Sequence, residues 1–149
     1  MPRLLLGLIS ALFLVCPVGA QEPSFEEGQV WTYETGPLDG GSLVKIQQIE
    51  TVGSRAAPVT VYHISLIGVM LYGDGVPSSV AHLPVSEKTL RDSVIALSDS
   101  DAVFPDYRPG IERWRFAEGG VFDIPLADIL DVIRETIEET PKRRVIGSL

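Results

Sequence analysis

The chain has one cysteine, Cys16, and two histidines, His63 and His82. Cys16 lies within a leader-like segment, so the chain beyond it lacks a thiol for disulfides, nucleophilic catalysis or metal ligation. Neither histidine belongs to an H-x-x-x-H or H-E-x-x-H pattern, which removes the usual helical zinc motifs. There is no G-x-S-x-G nucleophile elbow and no G-x-x-x-x-G-K-[ST] phosphate loop. "GPLDGG" (36–41) and "YGDGVPSS" (72–79) carry Asp where phosphate would sit, and read as turns. "DSDAVFPD" (99–106) lacks the central glycine and closing glutamate of a calcium loop. No metal and no cofactor is expected. Basic residues are also scarce, 12 against 20 acidic, and their one cluster is Lys142, Arg143 and Arg144. A surface so acidic repels phosphate backbones, which excludes nucleic acid as a partner.

What is present begins with a leader. Arg3, an apolar run over 4–15, and "VGA" before Gln21 have the layout of a secretory signal peptide cut after Ala20. The run is shorter than the about 20 residues that span a bilayer, and Pro17 and Gly19 interrupt its end. Lipidation at Cys16 is disfavoured because Val15, not a small residue, precedes it. The expected layout is a signal peptide over 1–20, a single domain over 21–140, and a flexible tail over 141–149. The expected location is the periplasm or outside the cell, with no stable membrane span after processing.

Within the domain, "VWTY" (30–33) alternates, placing Trp31 and Tyr33 on one face. "SLVKIQQIE" (42–50) reads as a second strand, with Gln47 and Gln48 breaking the alternation as a β-bulge would. "VTVYHISLIGVMLY" (59–72) is the strongest strand signal, its even positions Tyr62, Ile64 and Leu66 facing a core, and "GDG" ends it. In "VAHLPVSEKTLRDSV" (80–94), Val85, Ser86 and Leu90 fit a hydrophobic staple around a serine N-cap. Leu90, Val94 and Leu97 then extend one helical face. A shorter helix is expected over 107–120 with Trp114 inward, then a last strand at "VFDI" (121–124). Last comes a helix with Pro125 at its first position and an apolar stripe of Leu126, Ile129, Leu130, Ile133 and Ile137. Strands first and helices later predict an α+β fold: an antiparallel meander with two or three helices packed on one face.

Candidate chemistry rests on few residues. His63 and Ser65 share a strand face, and His82 follows a turn that permits its return beside them. These three form the only visible catalytic grouping, and no orienting third group stands at a useful spacing. The sequence therefore predicts that His63 and His82 are separate, and that Ser86 is a cap rather than a nucleophile. Trp31, Tyr33, His63 and His82 are the candidate binding residues if any aromatic face is exposed. The resulting expectation is a binding or interaction module for a protein or small molecule, with a small hydrolase using His63 and His82 as the alternative.

Gly28, Val30, Trp31 and Tyr33, the "HIS" of residues 63–65, and His82, Pro84 and Ser86 together resemble a family of small uncharacterised bacterial proteins. That family shares a Gly-x-Val-Trp-x-Tyr strand, a His-Ile-Ser strand and a His-x-Pro-x-Ser helix entry. Its "TRPGE" after the first strand is replaced here by "TGPLDGG" from Thr35. The resemblance implies a shared fold and a bacterial origin, and no chemistry.

Overall fold

A computed structural model describes residues 23–140. The leader and the basic tail, on which the signal-peptide and tail expectations fall, lie outside these residues. Five strands form one antiparallel sheet: β1 (Val30–Tyr33), β2 (Leu43–Ser54), β3 (Ala57–Val69), β4 (Ser78–Val85) and β5 (Val94–Leu97), in the order β4-β3-β2-β1-β5. Three helices accompany it: α1 (Glu87–Ser93), α2 (Arg108–Phe116) and α3 (Leu126–Glu139). This is the expected α+β class.

One sheet face carries the main core. Trp31 and Tyr33, then Val44 and Ile46, then Tyr62, Ile64 and Leu66 all point to it, as the alternation predicts. Leu90 of α1 and Leu126, Ile129 and Leu130 of α3 close over them. Two helices thus share that face. The third, α2, packs on the opposite face, with its Trp114 ring against His63. This is why β3 is buried on both sides from Val61 to Leu66.

Ser86 caps α1, accepting the Thr89 N–H at 3.2 Å, with Val85 and Leu90 fully buried beside it. The helix then stops at Ser93, four residues short of the sequence expectation. Val94–Leu97 instead pairs with β1 as an edge strand, because Val94 and Ile95 are β-branched and β1 offers an otherwise open edge. Residues 121–124 form no strand; Phe122 makes a single bridge to Val85. Pro125 is the N-cap of α3 rather than its first residue, and the first helical N–H, that of Leu126, is instead accepted by the Ser93 hydroxyl of α1 at 2.9 Å.

Asp39 is more than a turn residue. It is fully buried, accepts the Met70 N–H at 2.8 Å and pairs with Arg134 of α3, whose Nε–H donates to the Met70 carbonyl at 2.8 Å. Nearby, burial pushes the Tyr33 phenol up to about 12, while the Ser42 hydroxyl donates to its oxygen at 2.6 Å.

Candidate functional site

Two β-bulges build the site. In β2 the register shifts between Ile46, opposite Ile64, and Gln48, opposite His63. The extra residue, Gln47, reverses the parity of everything beyond it, so Gln48 and Glu50 leave the core face and join the face of His63. In β4, Leu83 pairs with Ile64 but Val80 pairs with Leu66, leaving Ala81 and His82 against Ser65 alone. That second bulge puts Leu83 on the core face and His82 on the other. Without it, His82 would share the parity of Val80 and face the core.

The histidines therefore meet, against the expectation that they are separate. His63 Nδ1 lies 2.8 Å from His82 Nε2, and the two rings stack with centroids 5.0 Å apart. His63 Nε2 lies 2.7 Å from Glu50 Oε1, and the other Glu50 oxygen accepts from Arg115 of α2 at 2.7 Å. Glu50 is the orienting carboxylate that linear spacing did not reveal.

The hydrogen-bond roles follow from chemistry. A carboxylate only accepts, so His63 Nε2 carries the proton and donates to Glu50. In the neutral ring His63 Nδ1 is then bare, and accepts the proton on His82 Nε2. His82 Nδ1 is left with a lone pair. No buried side-chain nitrogen or oxygen among the described residues lacks a partner, and Nδ1 makes no hydrogen bond, so it meets solvent. It borders a shallow hollow of about 340 Å³ lined by Ala81, His82, Asp106, Pro109, Gly110 and Arg113.

Burial favours this neutral arrangement. His82 is lowered to about 4, by desolvation first and then by the neighbouring His63 and Arg113. His63 is also lowered, because its desolvation outweighs the favourable effect of Glu50. For Glu50, partial burial pushes upward, but hydrogen bonds from Arg115 and His63 together hold the carboxyl below its ordinary range.

Helix α2 completes the enclosure. Trp114 meets the His63 ring edge-on, at 5.0 Å between centroids. A Cβ at Gly110 would fall 2.3 Å from His82 Cβ, and one at Gly119 would fall 2.2 Å from the Trp114 ring. Both glycines are needed for close approach. A glycine inside a helical run usually marks such packing, and "RPGIERW" (108–114) carried that signal. Glu50, Arg113 and Arg115 left no comparable mark.

The remaining candidates do not join the network. Ser65 is fully buried; its hydroxyl donates to the Ala81 carbonyl at 2.6 Å and accepts from Gln47 at 3.1 Å. Both His63 nitrogens are already engaged, so none is available to activate Ser65. Trp31 and Tyr33 are only 6% and 3% exposed, which makes them core residues and removes them as a contact surface. Among the described residues no three His, Cys, Asp or Glu side chains are grouped to hold a metal ion, and no helix is long and apolar enough to cross a membrane.

Comparison of the chain with family models, curated proteins and solved structures finds no match in any of the three.

Proposed function

We propose that the protein is an exported binding module whose contact group is His82, presented at the end of the chain Glu50–His63–His82. The observation that carries this reading is the contact chain Glu50–His63–His82, at 2.7 and 2.8 Å, ending on a ring that lines the hollow; the proton positions it dictates leave His82 Nδ1 as an acceptor. Arg113 and Asp106 flank it, so the hollow offers an acceptor, a cation and an anion together. That combination suits a small polar ligand, or a polar side chain of a partner protein, that both donates and accepts hydrogen bonds. The acidic composition and leader-like segment support a periplasmic or secreted location, and the family resemblance supports a bacterial one. Isolating the protein from its host tests export: the mature chain is expected to begin at Gln21, and one beginning at Met1 or at a lipidated Cys16 defeats the soluble periplasmic reading.

The convergence of the histidines favours a second reading, a small hydrolase in which His82 is a general base for water. Against it, an imidazole lowered to about 4 is a weak base at neutral pH, and no nucleophilic side chain reaches it. Imidazole ¹⁵N spectra recorded while titrating a panel of small carboxylates, amides and amines separate the two. Saturable shifts centred on His82, with ligand binding measured by calorimetry and lost in His82→Ala, support the module. Turnover of ester or amide substrates that disappears in His82→Ala, without saturable binding, supports the hydrolase.

A further inference from the structure

The two histidines share one hydrogen bond, and that bond requires one of the facing nitrogens to be bare. One added proton is tolerated, because the pair can hold it against the Glu50 carboxylate, which lies 2.7 Å from His63. A second proton leaves two N–H groups facing each other across 2.8 Å, with no acceptor between them.

We propose that α2 is an acid-released cover: when His63 and His82 are both protonated, the helix leaves the sheet and uncovers the face beneath it. Both rings are then imidazolium and the His82 Nδ1 acceptor is lost, so opening goes with release of a ligand held there, and in that respect this rests on the binding reading above.

The charges around the pair decide which element yields. Among the described residues Glu50 of β2 is the one carboxylate bonded to the pair, and Arg115 already holds its second oxygen. From α2, Arg113 and Arg115 add positive charge, with Glu112 beside Arg115. Asp106, in the segment before α2, lines the hollow with His82. Strands β3 and β4 are locked to each other by their ladder, and β3 also to β2. Helix α2 is held by Ile111, Trp114 on His63, the Gly110–His82 contact and the Arg115–Glu50 pair. Three of these four attachments pass through the titrating network, so α2 is the element that gives way. Both rings are held below the ordinary histidine range, His82 down to about 4, so double protonation is confined to acid pH.

Native-state hydrogen exchange of the folded protein, corrected for intrinsic rates, tests this between pH 7 and pH 4. Amides of α2 are expected to lose protection by on the order of 100-fold, as a roughly 2.5-unit difference in proton affinity allows. Amides of β2 and β3 around Ile46 and Ile64 are expected to keep theirs. In His82→Gln, whose amide can still donate to His63 but does not titrate, α2 is expected to stay closed. Equal protection of α2 at both pH values overturns the proposal, as does loss of α2 and β3 protection together. If His82→Gln does not fold, wild-type imidazole ¹⁵N titration serves instead. Opening that tracks the second protonation supports the proposal, and opening complete before it overturns it. No ligand enters these measurements. A helix that stays closed therefore leaves the binding reading standing, and a helix that opens on a protein that binds nothing defeats that reading alone.

Discussion

At the scale of single residues, Gly110 shows how closely α2 is fitted to the histidines. Any side chain there would begin 2.3 Å from His82 Cβ and 2.9 Å from its Nδ1, so either the helix or the imidazole must shift. Alanine is normally the better helix former by roughly 1 kcal/mol. Gly110→Ala should nevertheless destabilise the fold by about 1–3 kcal/mol, the usual cost of overpacking. Urea unfolding measures this, and a stabilised variant would show that the contact is loose. The same scale marks the limit of the sequence. His63, Ser65 and His82 were visible as residues, but which of them touch depended on strand parity. The unlike fates of the neighbours His63 and Ser65 came from one carbonyl, that of Ala81, which takes the serine proton.

At the scale of elements, local patterns were legible where one residue's chemistry set them. Ser86 is the clearest case: a hydroxyl before a helix accepts an orphan N–H, and Val85 and Leu90 close the staple. The hydroxyl also donates to Asp123, tying α1 to the segment before α3. Ser86→Ala is expected to lower stability by about 1–2 kcal/mol, read as a lower urea midpoint, while leaving the histidine spectra unchanged. Loss of the His63–His82 bond in that variant would mean that the cap also governs the site. The bulge at Gln47 was legible as broken alternation, whereas its consequence, Glu50 beside His63, was not. The β4 bulge left no sequence signal, since "SVAHLPV" (79–85) reads equally well with or without an extra residue. The end of α1 is set by tertiary structure: Val94 and Leu97 fit a helical stripe, but the open edge of β1 captures them as β5.

At the scale of the whole molecule, the network makes stability a function of pH. His82 binds its proton at about 4 in the fold and near 6.5 when unfolded, so the unfolded chain takes up protons first as pH falls. The contribution of His82 is therefore complete above pH 6.5 and lost progressively down to about pH 4. After allowance for water at the half-buried ring, the loss from this residue is about 2–3 kcal/mol. His63 acts in the same direction, and Glu50, held below its ordinary range, adds a further loss at still lower pH. Urea midpoints should decline across this window, and His82→Gln should flatten much of the decline. A wild-type midpoint that is constant from pH 7 to pH 4 would contradict this. All these effects require one proton arrangement: Nε2–H on both rings, with His82 Nδ1 bare. Long-range ¹H–¹⁵N correlation spectra of the imidazoles at pH 7.5 observe that arrangement directly. The account predicts two neutral rings, each protonated at Nε2, with the His82 Nδ1 resonance at the position of an unprotonated nitrogen; a proton on His82 Nδ1, or an imidazolium at either position, would contradict it.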